Sequence, residues 1–376
     1  MKTPFLLLLL VSASLYSCTF NSKSNKIQIG KTEELKDSVQ EIKLLFVGDV
    51  MQHKTQLNYA KTDSGYNYSS YFKHIRKDIQ NVDFSLINFE TTLGGKPYSG
   101  YPLFSSPDEL LLEVLDSGFN IILTANNHIL DRGKKGLRRT LSLLDSLRVQ
   151  HTGSFQSQEE RENRNPLWVE KNGIKIAFLN YTYGTNGLTV DSPFIVNYID
   201  KQIIEKDILK AYKNKPDALI MLIHWGEEYE MLPNKKQVEL ANWLFSKGVH
   251  HIIGSHPHVI QPIQIVTDSL SNQKKVVAYS LGNFISNMSR KGTDGGMMLK
   301  LTLQKDSITQ LKSCEYNLVW TGRPIITGEN NYILYPSSTK DYQLNNQANT
   351  LRNNFLNTTR KFLNDYNQGA REYLVQ

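Results

Sequence analysis

Short apolar runs alternate with amphipathic segments along the middle of the chain. The run 218–223, Ala-Leu-Ile-Met-Leu-Ile, is typical of a buried strand, whereas 136–147 repeats leucine at helical spacing. The strands predicted in this way are 42–47, 84–87, 119–123, 174–179, 218–223, 249–253, 276–281 and 297–303. The predicted helices are 68–82, 107–117, 136–147, 201–214, 235–246 and 345–366. This alternation predicts an α/β domain with a largely parallel sheet. The late strands, with few helices between them, predict a second and more antiparallel sheet.

The N-terminal residues have the features of a secretory signal. One positive charge at Lys2 precedes an unbroken apolar run and then small residues, and the run is shorter than the roughly 20 residues of a membrane span. Cys18 follows a small residue and resembles the lipid-modified cysteine of bacterial lipoproteins; the alternative is an ordinary cleaved signal with an incidental cysteine. We therefore predict a signal peptide at 1–17, a flexible linker at 18–40, one domain at 41–325 and a polar C-terminal extension with a helix at 326–376.

The charge pattern excludes one class of partner. The formal net charge is +7, but the basic residues are scattered rather than concentrated on a recognisable motif. A nucleic-acid-binding protein would carry such a motif or a basic face, so we expect no nucleic-acid partner. A weak attraction to an anionic polymer or to a membrane surface remains compatible with this charge. Removal of the signal and lipidation of Cys18 would leave Cys314 alone, so no intramolecular disulfide is expected.

Residues whose side chains can bind a metal, through a carboxylate, an amide oxygen or an imidazole, follow five of the predicted strands. Because ligand sites in open α/β sheets form beyond the carboxyl ends of strands, we expect these side chains to converge. Oxygen and imidazole ligands without thiolate suit Zn, Mn, Fe or Mg. The residues at these strand ends are Asp49, Glu90, Asn127, His128, His224, His256 and His258.

Each of these residues also has an ordinary structural interpretation. A single aspartate after a strand is usually a turn or cap residue, and a histidine that ends an apolar strand is more often packed in a core. The joint pattern favours a metal site, because independent accidents should not all fall at strand ends. The other histidines lack this placement, although His53 lies four residues past Asp49.

The motifs at the strand ends resemble those of the CapA family, the poly-γ-glutamate capsule synthesis proteins. The resemblance runs in order from about residue 42 to 290. It is carried by Gly48-Asp49-Val50-Met51, Asn88-Phe89-Glu90, Ala125-Asn126-Asn127-His128, His224-Trp225-Gly226-Glu227-Glu228-Tyr229, Gly254-Ser255-His256-Pro257-His258 and Tyr279-Ser280-Leu281-Gly282-Asn283-Phe284. The family is similar to the calcineurin-like metallophosphoesterases. The resemblance therefore implies a four-layer α/β/β/α sandwich and a centre for one or two divalent metal ions.

The resemblance also implies a role for each residue. Asp49 and His258 would bind the first metal, and Glu90 would bridge the two metals. Asn127, His224 and His256 would bind the second metal. His128 would be the general acid beside the leaving group. Glu228 would contact the substrate or orient an imidazole, unless it is an ordinary loop acid.

One position departs from the phosphoesterase pattern. Met51 stands where the parent motif has a histidine ligand to the first metal, and a thioether is a poor ligand for hard cations. Either the first metal binds weakly, or His53 substitutes, or the site holds one metal.

Three functions remain open at this point. The first is a lipid-anchored envelope hydrolase that cleaves a phosphoester or amide bond with a bound metal. The second is a non-catalytic accessory protein that binds or exports an anionic polymer, together with other capsule-synthesis proteins. The third is a metal-stabilised binding module. In each case we expect the protein in the bacterial cell envelope, outside the cytoplasm and anchored to the membrane through Cys18.

Overall fold

Alternate residues of the first strand, β1 (Gln40–Val50), pack into two different cores. Leu44 and Phe46 belong to one core, and Leu45 and Val47 belong to the other, because successive side chains of a strand point to opposite faces. The computed structural model describes residues 40–269, 271–338 and 340–375. The predicted signal peptide, Cys18 and nearly all of the predicted linker lie outside the described residues.

The elements follow one another in a mixed α/β order. After β1, the strands are β2 (Phe84–Phe89), β3 (Ile121–Leu123), β4 (Gln150–Thr152), β5 (Ser154–Phe155), β6 (Leu167–Lys171), β7 (Ile174–Thr182), β8 (Ile195–Val196), β9 (Ala218–His224), β10 (His251–Ser255), β11 (Ile263–Thr267), β12 (Lys274–Ala278), β13 (Asn283–Ile285), β14 (Gly295–Lys305), β15 (Thr309–Gly322), β16 (Ile333–Pro336) and β17 (Arg371–Glu372). The helices are α1 (Lys54–Ala60), α2 (Arg76–Gln80), α3 (Asp108–Asp116), α4 (Gly133–Ser146), α5 (Gln158–Arg164), α6 (Lys201–Lys213), α7 (Lys235–Ser246), α8 (Pro324–Thr327) and α9 (Asn346–Tyr366).

Two large sheets hold most of these strands. In the described residues the larger sheet has the order β16-β15-β14-β1-β2-β3-β4, with β13 beside β1 and β17 beside β15. The smaller one has the order β11-β12-β10-β9-β7-β6. The late strands β14, β15 and β16 do pair antiparallel with their neighbours, but the prediction that the late strands form a sheet of their own is wrong. Instead β12 pairs parallel with β10, and β14 pairs antiparallel with β1, because each late strand extends an edge of a parallel core.

Three cores separate four layers. The inner core joins Phe46 of β1 to Ile176 of β7 and so lies between the two sheets. A second core packs the outer face of the larger sheet against helix α3 through Leu110 and Val114. A third packs the outer face of β7 and β9 against α6 and α7. The predicted four-layer α/β/β/α sandwich is therefore confirmed.

The residues beyond 325 add to the same compact unit, which spans Val39–Gln376. Strand β16 extends the larger sheet, and α9 packs Phe355 and Leu363 into the inner core. Each large apolar side chain buried in this way contributes about 1.5–3 kcal/mol. No described helix is both long and apolar enough to cross a membrane.

The predicted helix at 68–82 is mostly turns, and only α2, Arg76–Gln80, is helical. The segment before α2 forms turns with hydrogen bonds between residues close in sequence, such as the one from the Tyr71 N–H to the Tyr68 carbonyl. The Ser70 hydroxyl donates to the carbonyl of Tyr332, which is distant in sequence. Apolar spacing alone did not reveal these tertiary contacts.

Candidate metal centre

The carboxyl ends of strands from both sheets meet at one place. Asp49 lies near the end of β1 and pairs in register with Asn88 of β2, which Glu90 follows closely. In the other sheet, His224 ends β9 and is in register with Ser255 at the end of β10. The site is thus built between two sheets rather than along the edge of one.

The six residues predicted to bind metal are all brought together and are all buried. Glu90 and His224 are 0% exposed, so bulk water does not contact either side chain in this structure. Their ligand atoms form two overlapping groups in which all atoms lie within 4.8 Å of one another. We name these the His224 group (Glu90, His224 and His256) and the His258 group (Asp49, Glu90 and His258). Glu228 forms a further group of this kind with His256 and His258. Asn127 Oδ1 adjoins the first group, 3.0 Å from His224 Nε2.

Glu90, which both groups share, has no hydrogen-bond partner on either carboxylate oxygen among the described residues. Its Oε1 lies 3.7 Å from His224 Nε2 and 3.9 Å from His258 Nε2. Burial, and then the neighbouring charge of Asp49, raises the pKa of Glu90 well above its usual range. An unpaired buried carboxylate is costly, and a cation between these atoms would remove that cost. The donor set therefore fits a divalent metal.

Asp49 differs from Glu90 because protein donors already satisfy it. Its Oδ1 accepts a hydrogen bond of 2.7 Å from the Asn88 side-chain amide. Its Oδ2 lies 3.2 Å from His258 Nδ1 and accepts a longer bond, 3.3 Å, from the His256 backbone N–H.

Hydrogen bonds orient two of the imidazoles toward Glu90. Ser255 Oγ lies 2.9 Å from His224 Nδ1, and Asn283 Oδ1 lies 3.1 Å from His258 Nδ1. A proton on His258 Nδ1 leaves a free lone pair on its Nε2, as a metal ligand requires. His224 Nε2 instead faces the Asn127 amide oxygen at 3.0 Å, and its Nδ1 also faces the Asn88 amide nitrogen at 3.2 Å. A metal at His224 Nε2 would place the ring proton on Nδ1, where Ser255 Oγ can accept it. Burial also lowers the pKa of His224 well below its usual range.

His256 has a different environment, since its Nδ1 has no hydrogen-bond partner. Burial lowers the pKa of His256 to about 3, so the ring is neutral at neutral pH and able to bind a metal. The Tyr183 ring packs on it at 4.5 Å between centroids.

The loop that carries His256 and His258 has a strained backbone. The φ angles of these residues are 100° and 60°, which side-chain-bearing residues rarely adopt. Such conformations cost roughly 1–3 kcal/mol each and cluster at functional sites. The loop also approaches its neighbours closely, because a Cβ at Gly254 would lie 2.0 Å from the Tyr279 carbonyl oxygen.

The two residues predicted to be catalytic lie on opposite sides of Glu90. His128 Nε2 is 4.0 Å from Glu90 Oε1, and its Nδ1 lies 2.7 Å from Asp131 Oδ2, which also accepts the Phe104 N–H. Glu228 Oε1 is 4.0 Å from His258 Nε2, and its side chain is 43% exposed. His128 is therefore held in place, whereas Glu228 lies at the open edge.

Met51 and His53 bear on the question of the first metal. Met51 is buried, and its N–H donates to the Ile285 carbonyl. His53 Nδ1 accepts the Asn287 N–H at 3.3 Å and faces Gln56 Oε1 at 3.3 Å. Among the described residues His53 belongs to no ligand group, so the geometry does not favour it as the substitute ligand.

The sequence interpretation missed three residues of the site. Asn88 bonds Asp49, Ser255 orients His224, and Tyr183 covers His256. Tyr183 directly follows β7, so the rule of strand ends would have found it. Asn88 and Ser255 lie inside the quoted motifs but were not given roles.

Comparisons with known proteins agree with the motifs. Residues 43–288 match the family model described as "Bacterial capsule synthesis protein PGA_cap". The chain is 24% identical over 315 residues to the capsule biosynthesis protein CapA of Bacillus anthracis, covering 80% of this chain and 74% of the relative. It is 26% identical over 290 residues to the PGA biosynthesis protein CapA of Bacillus subtilis strain 168, covering 75% and 73%.

Solved structures also match at low identity. The calcineurin-like phosphoesterase YfkN of Bacillus subtilis has a TM-score of 0.46 and 13% identity, covering 86% of this chain and 99% of that one. The NAD nucleotidase NadN of Haemophilus influenzae has a TM-score of 0.46 and 12% identity, covering 90% of this chain. The match spans only 58% of the length of NadN.

Proposed function

The chain belongs to the family of bacterial capsule synthesis proteins, and from this premise we propose that it is a metal-dependent hydrolase of the cell envelope. Its substrate would be a phosphoester or an amide bond in the cell envelope, and its role would lie in the biosynthesis of poly-γ-glutamate or a related capsule polymer. The observation that carries the proposal is the buried carboxylate of Glu90, which has no hydrogen-bond partner among the described residues and lies among buried imidazoles. The sequence around Cys18 supports attachment to the membrane by lipid.

Different residues of this chain would have different roles in such a reaction. A divalent ion held by the two ligand groups would supply Lewis acidity and a water of lowered pKa. His128 would donate a proton to the leaving group, because Asp131 fixes its Nδ1 and leaves Nε2 directed into the site. Glu228, at the open edge, would contact the substrate.

The test uses residues 39–376, which form one compact unit. Metal content is measured by mass spectrometry, and hydrolysis is measured with bis(4-nitrophenyl) phosphate and a γ-linked glutamate oligomer. We expect bound metal in the wild type and a rate about 10²–10⁴-fold lower in His128→Ala with the metal retained. His74→Ala is the matched control, because that ring packs against Tyr335 and Tyr342 instead. A metal-free wild type, or an unchanged rate in His128→Ala, would refute the proposal.

Met51 favours a second candidate, a polymer-binding or export protein that keeps a metal but has no turnover. The missing imidazole weakens the two-metal chemistry that hydrolysis would use. In that case metal removal lowers the melting temperature, no variant changes a catalysed rate, and polymer affinity falls with added salt because screening weakens exposed charge attraction.

A further inference from the structure

An exposed arginine, Arg290, lies beside the open edge of the site. The guanidinium of Arg290 lies 4.2 Å from the centroid of the Tyr229 ring. Its side chain is exposed, and within the described residues it forms no salt bridge. Glu228, the acid next to Tyr229, lies 4.0 Å from His258 Nε2 and forms no salt bridge with Arg290 among the described residues.

The ring under this guanidinium is fixed to the histidine loop. The Tyr229 backbone N–H donates to the Pro257 carbonyl at 2.8 Å, and its φ of 71° is again uncommon for a residue with a side chain. The ring centroids of Tyr229 and His258 are 6.2 Å apart. The position of the ring is therefore set by the same loop that supplies the candidate ligands.

Hydrogen bonds also connect the turn that carries Arg290 to the site. Thr293 Oγ1 donates to the Arg290 carbonyl at 2.7 Å, and the Asn283 amide donates to the Thr293 carbonyl at 2.9 Å. Asn283 Oδ1 is also the partner of His258 Nδ1. One asparagine thus links the arginine turn to a candidate metal ligand.

We propose that Arg290, stacked on Tyr229, binds an anionic group of the ligand next to the metal centre. A guanidinium presents paired N–H donors that match a carboxylate or a phosphate, and an aromatic face holds it in place. The inference deepens the proposed function, because it assigns a charge to the ligand of the same site.

The test measures binding by calorimetry to residues 39–376 as isolated with their metal, in a His128→Ala background in which turnover is slow. The probes are a γ-linked glutamate pentamer, its uncharged α-carboxamide analogue and bis(4-nitrophenyl) phosphate. Arg290→Met should weaken binding of a charged probe about tenfold and leave the carboxamide analogue unaffected. Lys291→Met, which removes the same charge from the next exposed residue, should change the affinity less than about twofold at equal ionic strength.

The outcomes separate the two kinds of anion and the two proposals. A loss confined to the pentamer identifies a carboxylate, and a loss confined to the phosphodiester identifies a phosphate. Equal losses in Arg290→Met and Lys291→Met, no loss in either, or no binding of a charged probe by the His128→Ala parent would overturn the inference. If the wild type hydrolyses nothing but the arginine effect is found, the proposed hydrolase fails and the anion subsite stands.

Discussion

The His224 group and the His258 group share the carboxylate of Glu90, but their remaining polar atoms differ in hydrogen bonding. In the His224 group, the Nδ1 of His256 has no hydrogen-bond partner among the described residues. In the His258 group, both oxygens of Asp49 accept hydrogen bonds from protein donors. Because buried polar groups are normally paired, the unpaired nitrogen indicates where the protein leaves room for a ligand.

The sequence points to the same asymmetry by an independent route. Met51 takes the place of an imidazole that the phosphoesterase pattern assigns to the first metal, which belongs to the His258 group. Asp49, which belongs to the His258 group and not to the His224 group, already accepts hydrogen bonds from protein donors. We therefore expect the His224 group to bind metal more tightly, and the predictions below test this difference.

The largest effect is expected for Glu90→Gln, because both groups lose their shared carboxylate. Metal affinity should fall by more than the roughly 10–100-fold that outer-shell mutations cost, as measured by titration with Zn²⁺ and Mn²⁺. Glu227→Gln is the matched control and should retain the affinity, because Glu227 is exposed and belongs to no ligand group among the described residues. Retention of wild-type affinity by Glu90→Gln would contradict the assignment.

The same substitution should stabilise the metal-free protein, with a dependence on pH. The pKa of Glu90 is raised in the folded state, so its stabilising contribution is complete below the ordinary value of 4.5 and is lost as the pH rises through the raised value. The melting temperature of Glu90→Gln in chelator should therefore exceed that of the wild type by a margin that grows with pH. A constant margin would mean that the carboxyl group of Glu90 is not the source.

The next prediction compares the loss of metal on substitution of His256 and of His258, which lie on one loop. His256→Ala should reduce metal content more than His258→Ala, by about tenfold or more in affinity, because His256 serves the group with the unpaired nitrogen. Both residues are buried and lie in the same strained loop, so each is the other's control for packing. The reverse order would show that the ligand assignment is wrong.

The sequence predicted the strand ends well because their signals are local. A buried strand needs a continuous apolar run, and the polar residue after it stands out, as with Asp49 and His224. The four-layer sandwich followed from the family resemblance rather than from periodicity, because two sheets with alternating strands give the same pattern as one. The split of the site between two sheets was invisible for this reason.

The missed parts depend on contacts between distant segments. Ser255 matters because the β9–β10 register places it opposite His224, and register is set by tertiary pairing. The turns at 68–75 form because Ser70 reaches Tyr332, far along the chain. Neither contact can be predicted from the local pattern of apolar residues.

A moderate effect is expected for Ser255→Ala, because Ser255 orients His224 without binding metal itself. Loss of its oxygen frees the proton on Nδ1 and allows the other tautomer, so metal affinity should fall roughly tenfold. Ser255→Thr, which keeps the hydroxyl, should restore it. Equal affinity in Ser255→Ala and the wild type would show that another group fixes the ring.

The smallest effect is expected for Met51→His, which returns an imidazole to the position where the parent motif has one. The His224 group should be unchanged, while a second, weaker metal should bind a few-fold more tightly, since imidazole is a better ligand than thioether for Zn²⁺ or Mn²⁺. Titration of metal stoichiometry with Met51→His and Met51→Leu distinguishes a ligand effect from repacking, because leucine keeps the volume without a donor atom. If the second site does not tighten, the weakness of the His258 group comes from the hydrogen bonds that already satisfy Asp49 and not from the missing histidine.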